Sequence, residues 1–182
     1  MVEVQIAAYS IGAEWDEDIN VLGKEIWNSF PPIKTLQEFF DCQEGCCFEV
    51  NVITCGGDFA GFVLMLHLYS GKSDASEYDV SYVCMTAVKP QFRNHGLGTK
   101  MLQDVENKSN RTIFVSANPF MCNPENNIRM RTFYEQNGYM RSPIGWTDSE
   151  QNEYDVFVKG NVDMDVWAAV SERVKRLWED FE

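Results

Sequence analysis

At the centre of the chain lies the sequence Ala87-Val88-Lys89-Pro90-Gln91-Phe92-Arg93-Asn94-His95-Gly96-Leu97-Gly98-Thr99-Lys100. An apolar, β-branched run precedes it, and Met101, Leu102 and Val105 recur after it at helical spacing. The spacing predicts that a strand ends and a helix begins around a glycine-bearing turn. Such a turn directs backbone N–H groups and the positive end of a helix dipole at one spot, which suits an anion such as phosphate.

Three residues of this turn fit a phosphate ligand. Gly96 and Gly98 lack a Cβ, so the backbone could approach a ligand closely. Arg93 adds a fixed positive charge that can pair with phosphate oxygens. The alternative interpretation is an ordinary strand-to-helix turn that contains two glycines.

The turn carries the pattern Arg93-x-x-Gly96-x-Gly98, which resembles the acetyl-CoA pyrophosphate loop of the GNAT superfamily of N-acetyltransferases. The strand before it, ending Ala-Val-x-Pro, and the amphipathic helix after it strengthen the resemblance. The resemblance implies that acetyl-CoA is the acetyl donor and that no metal takes part. It also implies a set of cofactor-binding residues: Ala87, Val88, Arg93, Asn94, His95, Gly96, Leu97, Gly98, Thr99 and Asn127.

A second segment reads Asn127-x-x-Met130-x-x-Phe133-Tyr134-Glu135-x-x-Gly138-Tyr139 and resembles another GNAT pattern. Met130 stands where the family usually has a small residue. The resemblance implies that Asn127 hydrogen-bonds the pantetheine arm and that Tyr134 is the acid that protonates the leaving thiolate. A tyrosine with an ordinary pKa near 10 is protonated at neutral pH and can donate that proton. The alternative is that Tyr134 is only a packing aromatic.

The general base is left open by the sequence. Some GNAT enzymes carry a glutamate on the strand before the loop, where this chain has Val80 and Tyr82. Asp79 is adjacent to these positions and is the predicted second catalytic residue. His67 could titrate near neutrality, although a histidine on an apolar strand is more often a core residue. A water chain, or an amine that arrives deprotonated, would also suffice.

The remaining patterns predict the order of elements. Alternation predicts strands over 2–11, 47–54, 59–69, 79–88, 112–117, 139–146 and 154–159. Apolar spacing predicts helices over 17–29, 35–45, 97–108, 126–136 and 163–182, with Asp16, Thr35 and Asp163 as N-terminal caps. This order resembles the GNAT order. The predicted fold class is therefore α/β (α+β), with a mixed, mostly antiparallel central sheet of about seven strands flanked by helices.

The predicted domain division places a GNAT domain over 1–160 and a C-terminal amphipathic helix over 161–182. Apolar residues recur along one stripe of that helix: Trp167, Val170, Val174, Leu177, Trp178 and Phe181. The stripe requires cover. It packs either on its own domain or on a partner, which includes a second copy of the chain.

Composition excludes several classes of function. The chain has 182 residues, 45% of them hydrophobic, and a formal net charge of −13, which predicts a globular, acidic protein that does not bind nucleic acid. The longest apolar run, 59–69, is too short to span a bilayer, so no membrane partner is expected. The first residues carry no basic signal region, and a cytoplasmic location is expected. Six cysteines without a Cys-x-x-Cys pair and two histidines make a zinc site improbable.

The resemblance to GNAT enzymes implies an acetyl-CoA-dependent N-acetyltransferase that transfers the acetyl group directly to a primary amine. A cationic acceptor, such as a polyamine, an aminoglycoside-like base, a lysine or a protein N-terminus, is predicted from acidic residues in the two N-terminal helices and the late hairpin: Glu14, Asp16, Glu17, Asp18, Glu38, Asp41, Glu44, Asp148 and Glu150. A solvated acidic face is the alternative. The rival function is a catalytically weak GNAT-fold binding or structural module docked in a larger assembly.

Overall fold

The structure is a computed structural model, and it describes residues 3–68, 80–108, 112–117, 124–142, 145–147, 153–160 and 164–181. The elements follow in chain order: β1 Val4–Ala8, α1 Asp16–Ile26, α2 Ile33–Asp41, β2 Cys46–Cys55, β3 Asp58–Leu68, β4 Val80–Val88, α3 Leu97–Lys108, β5 Thr112–Ala117, α4 Pro124–Gln136, β6 Met140–Arg141, β7 Trp146–Thr147, β8 Glu153–Lys159 and α5 Met164–Phe181. A short 3₁₀ turn, Pro90–Phe92, lies between β4 and α3.

The strands form one mixed sheet in the order β1-β2-β3-β4-β5-β8-β6, with β7 paired to β8. Among the strands that the structure describes, β4 and β5 run parallel and the other pairs are antiparallel. The predicted fold class is confirmed, with eight strands in the described residues instead of about seven. The continuous strand predicted over 139–146 is wrong, because in the described part of this segment Met140–Arg141 and Trp146–Thr147 are strand whereas Tyr139, Ser142 and Gly145 are not.

Helices cover both faces of the sheet. On the first face, α1, α2 and α5 pack over alternate residues of β3, such as Phe62, Leu64 and Leu66. On the second face, α3 and α4 pack over the residues between them, Val63 and Met65. Because β3 is buried on both faces, its apolar run is nearly continuous, as expected of a central strand.

Two predicted helix caps are wrong. Asp16 is the first residue of α1, and its carboxylate accepts hydrogen bonds from the Tyr9 hydroxyl at 2.8 Å and the Gly12 amide at 2.9 Å. Thr35 lies inside α2, which begins at Ile33 directly after Pro32. The Ile33 amide donates to the Asn20 side chain of α1 at 2.8 Å. A partner from another helix therefore replaces the local cap that the sequence suggested.

The apolar stripe of α5 packs against the chain itself. Val170, Val174 and Leu177 are buried in the core of the first face. The ring of Trp178 contacts those of Trp27 and Phe40, and the Phe181 ring contacts that of Phe39. The domain boundary near 160 and any partner contact through α5 stay predictions, while the predicted cap Asp163 and the Trp167 side chain lie outside the described residues.

Helices in the described part of the chain lack the combination of length and apolarity that a membrane span needs.

Candidate active site

The sheet splits between β4 and β5. These strands pair only from Val80 opposite Thr112 to Val83 opposite Val115. Beyond that point β5 continues along β8 as far as Ala117, while β4 continues along β3 as far as Val88. Within the described residues, Cys84–Val88 therefore has no strand partner on the β5 side. Its backbone groups are available to an extended ligand arm, which could bind as an added strand would.

A β-bulge sets the direction of the side chains along this free edge. Met65 lies opposite Val83 and Leu64 lies opposite Met85, so Cys84 is an extra residue in β4. An extra residue reverses the alternation of the residues that follow it. Thr86, opposite Val63, consequently points to the second face, toward α3 and α4.

The loop after β4 has the geometry of an anion-binding turn. Asn94 and Gly96 have positive φ angles of 64° and 74°, and α3 begins at Leu97. The Lys100 amide makes the first hydrogen bond of the helix, to the Gly96 carbonyl at 3.1 Å. The N–H groups of 97–99 therefore have no acceptor within the helix. The space where a Gly96 Cβ would lie is open to 4 Å, so these N–H groups can be approached, and the turn fits a pyrophosphate.

Gly98 also has a packing role that the motif did not predict. A Cβ on Gly98 would lie 3.1 Å from the ring of Phe133 on α4. That distance is tighter than most real Cβ contacts, so the missing Cβ lets α3 pack closely against α4. Leu97, the first residue of α3, is buried beneath the helix. The start of α3 is thus held in place by the buried Leu97 side chain and by the close packing of Gly98 against Phe133.

The cations near the loop are partly neutralised by acids of α1. Arg93 donates through Nε to the Val88 carbonyl at 2.8 Å, and its Nη2 lies 3.9 Å from Glu25 Oε2. Lys89 Nζ lies 2.5 Å from Asp18 Oδ1. His95 is connected through Nδ1 to the Arg93 carbonyl at 2.7 Å. Arg93 therefore also braces the loop against the strand end, a role that the motif did not predict.

Tyr134 lies in the core of the second face, on α4. Its ring centroid is 5.1 Å from that of Phe157, 5.2 Å from that of Phe133 and 5.8 Å from that of Tyr139. Burial raises the pKa of Tyr134 well above its usual range, and the neighbouring Thr86 hydroxyl partly opposes that shift. The phenol is therefore protonated at neutral pH, and its hydroxyl lies beside the free part of β4.

We refer to Cys84–Val88, the loop 93–99 and the Tyr134 hydroxyl as the open end. It brings together most of the residues predicted to bind the cofactor. Asp79 lies outside the described residues. The backbone of Asn127 is part of α4, but its side chain lies outside the described part of the chain.

His67 is distant from the open end. Its ring nitrogens are hydrogen-bonded to Ser81 Oγ at 3.0 Å and to Glu49 Oε2 at 2.9 Å. Ser81 precedes Thr86 by five residues, which corresponds to about 16 Å along an extended strand. The structure thus places His67 in a partly buried hydrogen-bond network, away from the Tyr134 hydroxyl.

A cysteine nucleophile is also unsupported. Burial raises the pKa of the Cys84 thiol well above its usual value, so the reactive thiolate is disfavoured. In the described residues, His, Cys, Asp and Glu side chains form no group of three or more that could hold a metal ion.

Comparison with models of protein families identifies the family of this chain. The model of the acetyltransferase (GNAT) family matches residues 13–139, which include α1, the free edge of β4, the loop and Tyr134. The chain belongs to the GNAT family. It is a transferase of the GNAT type, and the reaction of that family is acyl transfer from acetyl-CoA.

Solved GNAT structures share its fold. A GNAT-family protein from Bacteroides thetaiotaomicron is 17% identical, covers 93% of this chain and 95% of its own, and has a TM-score of 0.64. Arabidopsis thaliana Naa50 in complex with the bisubstrate analogue CoA-Ac-MVNAL is 16% identical, with coverages of 87% and 99% and a TM-score of 0.61. A GNAT acetyltransferase from Elizabethkingia anophelis with acetyl-CoA bound is 12% identical, with coverages of 87% and 98% and a TM-score of 0.58. No curated protein matches the chain at a significant level.

Proposed function

We propose that the protein transfers the acetyl group of acetyl-CoA directly to a primary amine. The observation that carries this proposal is the convergence of three features at the open end. These are the N–H groups at the start of α3 that lack an acceptor within the helix, the edge of β4 that has no strand partner among the described residues, and the Tyr134 hydroxyl. The first can bind an anion, the second an extended polar arm, and the third can supply a proton.

Each group has a distinct role in this proposal. The N–H groups of 97–99 hold the pyrophosphate of the donor, with Arg93 beside them. The backbone of Ala87 and Val88 binds the pantetheine arm, together with Asn127 on α4. When bound, acetyl-CoA supplies a thioester that an amine can attack. Tyr134 donates its proton to the thiolate that leaves.

A water molecule removes the proton of the amine in this proposal. Val80, the first described residue of β4, precedes Thr86 by six residues, which is about 20 Å along an extended strand. Asp79, the predicted base, would therefore receive that proton through water. Direct transfer needs no acyl-enzyme, in agreement with the burial of Cys84. We also propose that the reaction needs no metal and takes place in the cytoplasm.

A protein N-terminus is the acceptor we favour within the predicted cationic class. Asp16 and Asp18 of α1 are engaged by Tyr9 and Lys89, which weakens the argument for a polyamine site built from these acids. Among proteins of the same fold, the Naa50 structure contains a bisubstrate analogue with the peptide MVNAL, and the NatC complex is bound to a Gag peptide and CoA. A small cationic amine and a lysine side chain are the alternatives.

Calorimetric titration of acetyl-CoA and of CoA into the protein tests the donor site. Binding in the micromolar range, weakened at least about ten-fold in Arg93→Ala, is expected if the loop holds the pyrophosphate. Thiol release from acetyl-CoA is then measured with a peptide bearing a free N-terminus, a lysine amide blocked at its α-nitrogen, spermidine and tobramycin.

Each outcome decides between the functions. Thiol release with one of the amines, and a matching acetylated product by mass spectrometry, supports the enzyme. Binding of acetyl-CoA without release to any of the four amines would favour the rival, a GNAT-fold binding or structural module. Absence of acetyl-CoA binding to the folded protein overturns the proposed function.

A further inference from the structure

Thr86 is directed toward Tyr134 by the bulge in β4. Val83 lies on the second face, in contact with the core that contains Tyr134. If β4 alternated strictly through Cys84 with no bulge there, Met85 would lie on that face and Thr86 on the other. With it, Met85 packs against the core of the first face and Thr86 takes the position beside Tyr134. A local irregularity of the strand therefore puts a hydroxyl where a thioether would otherwise lie.

The hydroxyl of Thr86 is buried and unsatisfied. Thr86 Oγ1 has no hydrogen-bond partner of good geometry in the described part of the chain, although it is close enough to Tyr134 to oppose the rise in the pKa of the phenol. The two hydroxyls are thus neighbours that are not aligned. Buried polar groups are usually paired, because an unpaired one costs about 1–3 kcal/mol. An unpaired hydroxyl at the open end points to a role that appears during the reaction.

Tyr134 has little freedom to find another partner. Its ring is enclosed by Phe133, Tyr139 and Phe157, so its hydroxyl can shift only slightly. Burial disfavours the phenolate that forms when Tyr134 gives up its proton. A hydroxyl that donates to the phenolate oxygen would reduce this penalty, and Thr86 is so placed.

We propose that Thr86 is a positioning residue that aims the Tyr134 hydroxyl at the free edge of β4 and donates a hydrogen bond to it as its proton leaves. This role rests on the proposed function. The amine nitrogen bonds to the carbonyl carbon of the acetyl group, and the carbon–sulfur bond breaks. The sulfur takes the proton of Tyr134, the amine gives its own proton to the base, and the phenolate is reprotonated from solvent before the next cycle.

The test uses Thr86→Val, which removes the hydroxyl at nearly constant volume, and Thr86→Ser, which keeps it. Acetyl-CoA affinity is measured by calorimetry, and kcat by thiol release with the most active amine of the panel above. We expect Thr86→Val to lower kcat about five- to ten-fold, the effect of one hydrogen bond to a developing charge. We expect both variants to bind acetyl-CoA within about two-fold of the unaltered protein, and Thr86→Ser to keep kcat within about two- to three-fold. Thr86→Ala replaces the valine variant if valine disturbs the fold.

A double-mutant cycle separates positioning from a structural role. If Thr86 acts through Tyr134, Thr86→Val should cause no further loss of kcat when Tyr134 is already phenylalanine. Unchanged kcat in Thr86→Val, a loss that serine does not restore, or additive losses in the double variant would each overturn the role of Thr86. So would a loss confined to acetyl-CoA affinity, since Thr86 would then contact the ligand. In all of these cases the active unaltered protein leaves the proposed function intact, whereas a protein inactive with all four amines overturns both.

Discussion

At the C-terminal end of α3, Lys108 donates a hydrogen bond to Asn51 at 3.1 Å, and Asn51 in turn donates to Glu49 at 2.5 Å. The Glu49 carboxylate is also hydrogen-bonded to His67, and the other ring nitrogen of His67 is hydrogen-bonded to the Ser81 hydroxyl. About 18 Å away, at the N-terminal end of the same 12-residue helix, the N–H groups of 97–99 lack helical acceptors. We call the first region, defined by Glu49, Asn51, His67, Ser81 and Lys108, the closed end.

The closed and open ends differ in whether their polar groups are already satisfied. Both are built on β4 and α3, and both bury a hydroxyl on the second face of the sheet, that of Ser81 at the closed end and that of Thr86 at the open end. At the closed end Asn51 and Ser81 are fully buried and hydrogen-bonded. At the open end the Thr86 hydroxyl has no aligned partner in the described residues. A satisfied polar network specifies the fold, whereas unsatisfied groups beside a turn are available to a ligand.

The largest expected effect comes from blocking the open end. Gly96→Glu places a carboxylate in front of the N–H groups of 97–99, where it excludes a phosphate both sterically and by charge. We expect acetyl-CoA to bind at least about 100-fold more weakly by calorimetry. Gly57→Glu is the matched control. Gly57 also has a positive φ and open space at its Cβ position, but it lies in the β2–β3 turn. Equal affinities in the two variants would show that the loop does not hold the donor.

A smaller effect, on stability and not on binding, is expected at the closed end. Hydrogen bonding from His67 lowers the pKa of Glu49, so Glu49 stabilises the fold most above its unfolded pKa. That contribution is lost as the pH falls through the lower, folded-state pKa. We expect Glu49→Gln to reduce the unfolding free energy by about 1–2 kcal/mol at pH 7. The difference from the unaltered protein should shrink as the pH falls below about 4.3, the pKa of an unperturbed glutamate, and should disappear below the lower folded-state pKa of Glu49.

Thermal unfolding followed by circular dichroism between pH 7 and pH 3 provides that measurement, and acetyl-CoA affinity at pH 7 should stay within about two-fold. Glu172→Gln is the control, since Glu172 forms an exposed pair with Arg176 on α5. A weaker acetyl-CoA complex in Glu49→Gln would contradict the comparison, because the closed end would then be coupled to the ligand.

The sequence predicted the open end better than the closed end. The turn at 93–98 and the helix after it are adjacent in the chain, so local spacing sufficed to find them. Tyr134 was found through a second local pattern. The network of the closed end joins residues of three strands and a helix, and Glu49 and His67 are 18 residues apart. Their contact depends on the register of β2 against β3, which alternation alone does not determine.

Two features, one in the open end and one beside it, were also missed. The bulge at Cys84 has no marker such as glycine in the sequence, and without it Thr86 would be assigned to the wrong face. The pairing of Lys89 with Asp18 joins residues 71 positions apart. Acids of α1 that had suggested a cationic acceptor are in fact used within the chain. The sequence does show an acidic first turn in α1 and a basic loop after β4, and these charges are complementary. It does not show which acid pairs with which base.

The smallest expected effect tests whether Arg93 binds the phosphates of the donor or mainly supports the loop. Glu25 and Arg93 are each about half exposed and 3.9 Å apart, so their pair contributes only about 0–1 kcal/mol. If Arg93 binds the donor's phosphates, the nearby carboxylate opposes that binding by charge repulsion. We expect Glu25→Gln to tighten acetyl-CoA binding about two- to five-fold at low salt, with a smaller gain at about 0.5 M salt. Glu38→Gln is the control, because it disrupts the exposed Lys34–Glu38 pair on α2. It should leave the affinity for acetyl-CoA unchanged at both salt concentrations. Weaker binding in Glu25→Gln would mean that Glu25 supports the loop through Arg93, because the guanidinium already holds the Val88 carbonyl and would then serve mainly as a brace.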